Sequence, residues 1–160
     1  MESKINYLPT DEASAREFLQ WKYEHPYEIY NYAPEHFDED LAYHLDPGNN
    51  MYSIYREDQL VGYCSFGQDG QVQGGDYSEQ ALDIGLMIKP ELTGQGLGSV
   101  FVGNIIQYAK AQYNPKKLRV TILESNLRAT RAWEKNGFRK TQSFERKNGQ
   151  LHFVILMKDV

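Results

Sequence analysis

The sequence contains one cysteine, Cys64, so no internal disulfide can form and stapling is excluded as a source of stability. It has no uninterrupted apolar run long enough to cross a bilayer, and its opening Met1-Glu2-Ser3-Lys4-Ile5-Asn6 lacks the apolar segment of a secretory leader. These absences predict a cytoplasmic protein with no membrane partner. Positive charge is also short: 17 Lys and Arg stand against 22 Asp and Glu, a net charge of -5. Such a balance disfavours general affinity for nucleic acid and suits a cationic or amine-bearing partner. No internal repeat is present. With 41% hydrophobic and 24% charged residues in 160, the chain is expected to fold as one globular domain over residues 1–160. Cys64 lies in the apolar run Leu60 to Phe66 without a basic neighbour to favour its thiolate, which predicts an inert core thiol.

Periodicity divides the chain. Lys4 to Leu8 reads as a strand, followed by a helix that starts at Thr10-Asp11-Glu12, carries Phe18, Leu19 and Trp21 to Tyr23, and stops near Pro26. A second helix is expected from Pro34 through Phe37 and Leu41 to Leu45. Met51 to Arg56 and Leu60 to Phe66 have hairpin spacing, Gly67 to Ser78 is a polar loop, and Leu82 to Ile88 alternates as a strand closed by Pro90. From Gly96 to Gln112 apolar residues recur every three or four positions, marking an amphipathic helix. Leu118, Val120 and Ile122 alternate in a strand, Asn126 to Asn136 forms a helix, and Gly137 stands at its left-handed C-cap. Thr141 to Met157 contains an Asn148-Gly149 hairpin turn. This order predicts a mixed sheet covered by helices.

The chemistry-bearing segment is Thr93-Gly94-Gln95-Gly96-Leu97-Gly98-Ser99, three alternate glycines between a strand and a long helix. Glycine permits unusual dihedrals and close approach, so successive N–H groups can converge on an anion at the positive end of the helix. A diphosphate suits that geometry. Neither a P-loop, which needs Gly-Lys-Ser/Thr, nor the dinucleotide G-x-G-x-x-G spacing is present. A glycine-rich turn serving only tight strand-to-helix packing is the alternative.

Thr93 to Gly98 resembles the pyrophosphate loop Arg/Gln-x-x-Gly-x-Gly/Ala of the GNAT superfamily of acyl-CoA-dependent N-acetyltransferases, matching at Gly96 and Gly98 and departing at Thr93. Asn126 to Phe138 resembles the same family's N-x-x-A-x-x-x-Y-x-x-x-G-F pattern, with Asn126, Ala129, Gly137 and Phe138 matching and Trp133 in place of Tyr. Spacing of four and seven puts Asn126, Thr130 and Trp133 on one helix face. An ordinary helix with Asn126 as N-cap and Trp133 in the core explains the same letters locally.

The resemblance implies an α/β (α+β) fold, a mixed, mostly antiparallel splayed sheet of about seven strands flanked by about four helices. It also implies acetyl-CoA as co-substrate, entering between the strands Leu82 to Ile88 and Leu118 to Leu123, with no metal. Thr93 to Ser99 would hold its pyrophosphate, backbone at Met87 and Ile88 its pantetheine amides, and Asn126, Ala129 and Trp133 would line the arm. The acceptor would be an amine of a small molecule or peptide, and the protein a monomer or homodimer.

Transfer needs a neutral amine, hence a proton acceptor. Family position makes Asp83 the expected base, with Glu79 and Glu124 next. Asp83 binding a cationic substrate or capping nearby backbone is the alternative. The leaving thiolate needs a proton that the indole of Trp133 cannot give, so solvent or another tyrosine would supply it; Tyr108 and Tyr113 are near in sequence, but core packing is the role expected of them. His36, Asp40 and His44 recur every four residues, a metal-compatible spacing equally explained by a solvated helix face. Tyr23, Tyr27, Tyr30 and Tyr32 with Glu24, Glu28 and Glu35 mark a segment suited to polycations. The competing functional reading is a non-catalytic module that senses acyl-CoA.

Overall fold

The computed structural model describes residues 4–146 and 149–160. Its elements in chain order are β1 (Ile5–Pro9), α1 (Glu12–Phe18), α2 (Phe37–Leu45), β2 (Met51–Arg56), β3 (Gln59–Phe66), β4 (Leu82–Ile88), α3 (Gly98–Tyr113), β5 (Lys117–Leu123), α4 (Leu127–Lys135), β6 (Arg139–Glu145) and β7 (His152–Asp159). The strands follow the order β1-β2-β3-β4-β5-β7-β6. β1/β2, β2/β3, β5/β7 and β6/β7 are antiparallel, whereas β4 and β5 run parallel and pair at Leu82↔Leu118 and Asp83↔Arg119. The expected mixed, mostly antiparallel seven-stranded sheet with four helices is the observed architecture.

The chain divides into two compact units, residues 1–65 with 86–93 and residues 66–85 with 94–160. In the first, Phe18, Leu19 and Trp21 from α1 and the segment after it bury against Leu41, Met51, Leu60 and Tyr63, and Tyr32, Phe37 and Met87 pack on that cluster. Phe18 stacks on Tyr63 with ring centroids 4.0 Å apart. In the second, Ile105, Leu118, Ile155 and Leu156 are almost completely buried.

Local chemistry sets the helix ends. Asp11 accepts from Ser14 N and Ser14 Oγ accepts from Asp11 N, a reciprocal cap that fixes the start of α1. The hydrogen bond from Ser14 holds the Asp11 carboxyl below its ordinary value. α1 ends at Phe18, earlier than the sequence pattern suggests, and buried Trp21 and Tyr23 follow outside the helix. α2 begins at Phe37 after a short turn of 3-10 helix at Pro34–His36. α3 begins at Gly98, two residues later than expected, because Gly94 and Gly96 both take φ of 74°, incompatible with a right-handed helix. Asn126 caps α4 through Ala129 N. Gly137 has φ of 93°, as its C-cap position requires. The terminal hairpin is β6/β7; Asn148 of its expected turn lies outside the described residues.

Close approach rather than dihedral freedom requires Gly62. A Cβ there would lie 2.7 Å from the Met87 carbonyl oxygen, and backbone cannot move aside cheaply. Gly62→Ala is expected to destabilise the protein by about 1–3 kcal/mol, the usual cost of overpacking. Urea unfolding of the two proteins measures it, and equal midpoints would show that β3 and β4 are not packed so closely.

Candidate functional site

The loop after β4 is built by its own sequence. Pro90 opens a short 3-10 turn that Thr93 closes, its N–H and its Oγ1 both donating to the Pro90 carbonyl, at 3.1 and 2.6 Å. Thr93, the departure from the family's Arg or Gln, thus has a turn-closing role. Gly94 and Gly96 then turn through the left-handed region, and α3 starts with Leu97 at its N-cap and no side-chain cap. The first N–H groups of a sixteen-residue helix are therefore left for something other than a capping side chain. Gly94, Gln95 and Gly96 are exposed, and a Cβ placed on Gly96 would meet nothing within 4 Å. The space is open, and the helix end gives it a positive potential.

A cation stands beside this loop that the motif reading passed over. Arg128, in the first turn of α4, places Nη1 3.4 Å from where a Gly94 Cβ would be. A Cβ at position 94 would just touch that guanidinium, and the φ of 74° there disfavours any side chain. The second cross-link is Asn136, whose Nδ2 donates to Ser99 O at 3.1 Å and to Ala132 O at 2.9 Å, tying the start of α3 to α4. Nothing in its local sequence distinguishes Asn136 from an ordinary helix end; only the spatial pairing of α3 and α4 does.

The remaining residues expected around the arm occupy mixed roles. Asn126 is the N-cap of α4, and its carbonyl accepts from Thr130 Oγ1 at 3.1 Å. Trp133 is 5% exposed and meets Phe138 edge-on at 4.8 Å, a core position. Ala129 is half-buried, with its N–H bonded to the Asn126 side chain. On β4, the Ile88 carbonyl accepts the Tyr23 hydroxyl at 2.7 Å, and Met87 packs on the core of the first unit. In the second unit, Tyr108 and Tyr113 face Phe66 with ring centroids 5.8 and 5.1 Å away, as core packing predicts.

Asp83 is where the geometry departs most from expectation. Both of its oxygens are engaged: Oδ1 accepts Arg119 Nε at 2.7 Å, and Oδ2 accepts Arg119 Nη2 at 2.8 Å and Gln71 Nε2 at 2.9 Å. Each side chain of the ion pair is 3% exposed. Arg119 also donates through Nη1 to the Glu79 carbonyl at 2.7 Å, and its guanidinium lies 4.9 Å from the centre of the Tyr77 ring. The bond to Asp83 holds the Arg119 guanidinium above its already high ordinary value. The carboxylate is thus gripped by three N–H donors and shielded from water. Asp83 is placed as an anchor. Glu79 pairs with Lys117, and Glu124 is exposed on the segment after β5.

The other candidates separate. His36 is exposed 3.8 Å from Glu39, while His44 is buried and contacts Tyr32, so the helical His/Asp/His spacing does not converge. Among the described residues no group of three or more His, Cys, Asp or Glu side chains is arranged to hold a metal. Burial pushes the Cys64 thiol well up from its ordinary value, consistent with an inert core position. Among the described residues no helix is long and apolar enough to cross a membrane.

With the glycine turn, the long helix behind it and the parallel β4/β5 pair in view, comparison with known proteins becomes informative. The model of the acetyltransferase (GNAT) family matches residues 13–138. The chain belongs to the GNAT acetyltransferase family. The acetyltransferase PseH of Campylobacter jejuni is 23% identical over 106 residues, which cover 64% of this chain and 61% of PseH. The spermine/spermidine N(1)-acetyltransferase of Bacillus subtilis is 26% identical over 100 residues, 62% of this chain and 61% of that protein. The chain thus spans about three fifths of the length of these curated relatives. Among solved structures, a spermidine N-acetyltransferase chimera from Vibrio cholerae superposes with a TM-score of 0.74 at 17% identity, covering 98% of this chain and 96% of that one. The aminoglycoside acetyltransferase AAC(6')-Ib in complex with coenzyme A gives 0.76 at 16% identity, covering 98% and 95%. These likenesses share the GNAT fold.

The buried pair generates a double-variant test. Arg119→Met alone is expected to cost about 3–5 kcal/mol, since it strands the Asp83 carboxylate in the interior. Adding Asp83→Leu should recover much of that loss, though not all, because Gln71 and the Glu79 carbonyl then lack partners. Urea midpoints of the single and double variants check this; a harmless Arg119→Met would show that the pair holds nothing.

Proposed function

We propose that the protein transfers an acetyl group from acetyl-CoA to a primary amine of a small molecule or peptide, by direct attack of the amine on the thioester in a ternary complex. The observation that carries this is the loop from Gly94 to Ser99, with two left-handed glycines, open space above Gly96 and an uncapped sixteen-residue helix behind it. Backbone N–H groups and a helix end hold a diphosphate without needing a side chain at position 93. Arg128 supplies a guanidinium at the loop, where the family pattern would have drawn charge from Arg at 93. On this reading the pantetheine amides pair with backbone at Met87 and Ile88, and a backbone N–H there meets the negative charge that develops on the thioester oxygen. Ala129 and the Asn126 end of α4 border the arm, and Trp133 supports it from the core. We take residues 1–160 as one acetyltransferase domain.

An amine acceptor is supported by the names of the relatives, which include acetyltransferases of spermine, spermidine and aminoglycosides. It is also supported by the chain's own charge of -5, which attracts polycations at low ionic strength. In this reading Asp83 and Arg119 position the segment from Gly67 to Gln80 and take no part in proton transfer. Gln71, Tyr77 and Glu79, all in that segment, are the groups the pair grips.

Release of free CoA thiol from acetyl-CoA over spermine, spermidine, kanamycin, ribostamycin and a short peptide with a free N-terminus tests the proposal. At least one amine should give turnover above hydrolysis; CoA binding with none active would replace the enzyme reading with a sensor. Gly96→Asp should weaken CoA binding about tenfold or more, since it sets a carboxylate against the diphosphate. Aspartate is among the residues that tolerate the left-handed region, so the fold should survive at a cost of about 1 kcal/mol. Calorimetric titration with CoA measures the affinity, and an unchanged value would remove the loop as the diphosphate site.

A further inference from the structure

A buried histidine in the first unit is wired to two tyrosines. His44 sits in the last turn of α2 and is 4% exposed. Its Nε2 lies 3.0 Å from the Tyr32 hydroxyl oxygen, and the Tyr63 hydroxyl donates to that same oxygen at 3.3 Å. A hydroxyl carries one hydrogen. With Tyr63 donating to Tyr32 and the imidazole in its Nδ1–H tautomer, the Tyr32 hydrogen is given to His44 Nε2, and the chain of donors ends on the imidazole. Tyr63 and His44 are buried, whereas Tyr32 is half-buried and the most accessible of the three.

We propose that Tyr32 takes the proton from the substrate ammonium and passes its own to His44 Nε2, the two acting as the base that frees the amine. The inference rests on the acetyl-transfer reading and supplies the proton acceptor that Asp83 does not provide. One ammonium N–H bond breaks as an O–H bond forms on Tyr32; the original Tyr32 O–H breaks as an N–H forms at His44. The amine keeps its electron pair for attack on the thioester, Tyr32 ends unchanged, and the proton rests on the imidazole until it returns to solvent through the same hydroxyl.

Two features make the imidazole a suitable terminus. It stands among the last carbonyls of α2, whose negative end favours a cation. Aromatic rings surround it, with centroids at 4.8 Å for Phe18, 5.6 Å for Tyr63, 5.7 Å for Tyr43 and 5.8 Å for Tyr32, and ring faces accommodate positive charge. The titratable groups around it are Tyr32 from the segment before α2, Tyr63 from β3, and on its own helix Tyr43 and, one turn earlier, Asp40. α1 contributes the apolar Phe18. Tyr32 and Met87 pack on the same apolar cluster of the first unit, and Met87 belongs to the β4 segment assigned to the thioester.

The pH dependence of kcat/KM for the amine, measured at saturating acetyl-CoA with whichever amine of the panel turns over, tests the relay. Tyr32→Phe and His44→Gln should each lower the rate at pH 7 by about 100-fold or more. Both should recover toward wild type near pH 10, where a primary amine deprotonates unaided. CoA affinity of Tyr32→Phe should stay near wild type, and its melting temperature, lowered by loss of the hydroxyl's bonds to Tyr63 and His44, should stay above the assay temperature, which separates lost proton transfer from lost folding. Variants that keep the wild-type profile while the wild type turns over would overturn the relay alone. A wild type inactive toward every amine would overturn the acetyl-transfer reading, and the relay with it.

Discussion

The buried pair between Asp83 and Arg119 is the interaction on which the second unit's arrangement depends. β4 and β5 run parallel, and their ladder is described at two rungs, the second of which is Asp83↔Arg119 itself. Parallel hydrogen bonds are slanted and somewhat weaker than antiparallel ones, so two rungs hold a register poorly. A bidentate guanidinium–carboxylate contact at the second rung fixes it in both distance and angle. The same guanidinium reaches the Glu79 carbonyl and the face of Tyr77, and Tyr77 in turn bonds Thr121 on β5 and accepts from Val72 N. Lysine, with a single compact charge, could not make these directed contacts at once. Register and loop shape are therefore one constraint, and the pair's burial makes it costly to disturb.

The elements were legible where a local period or a local cap decides them. β2 and β4 have the predicted ends, Asn126 caps α4 and Gly137 takes the left-handed C-cap, because each follows from residues within a turn of one another. The start of α3 was misread because hydrophobic spacing from Gly96 is continuous, whereas the two left-handed glycines are conformational and leave the apolar pattern untouched. The end of α1 was misread for the opposite reason: Trp21 and Tyr23 are apolar and buried, but the first joins the core and the second reaches the Ile88 carbonyl from outside the helix. Periodicity cannot distinguish burial by a helix face from burial by an irregular segment.

The site was legible as a motif and opaque as a network. Gly94, Gly96 and Gly98 announce close approach of backbone because glycine takes unusual dihedrals and carries no side chain. Asp83 announced a carboxylate on a strand but not its partner, which lies 36 residues along the chain. His44 drew attention for a spacing shared with His36 and Asp40, yet its hydrogen-bond neighbour is Tyr32, on a different segment. Arg128 sat unremarked inside a quoted motif, since only the folded turn brings it over Gly94. Pairings between distant segments carry no local signature, and the candidate site is built from such pairings.

The two departures from the family pattern follow the same logic. Thr93 cannot offer a cation, but its hydroxyl closes the turn that presents Gly94, and Arg128 brings charge to the loop from α4. Trp133 cannot protonate a thiolate, but its burial against Phe138 fixes the inner face of the helix that Asn126 starts. Proton handling must then fall on groups whose charge changes near neutral pH. Asp83 holds the Arg119 guanidinium above its already high ordinary value and is itself gripped by three donors, so the pair is built to hold position. The hydroxyl-to-imidazole chain of Tyr32 and His44 is the hydrogen-bonded path proposed above for the proton, and a leaving thiolate can draw its proton from solvent. On that proposal, holding position at Asp83 and moving a proton at Tyr32 are separate tasks given to separate groups.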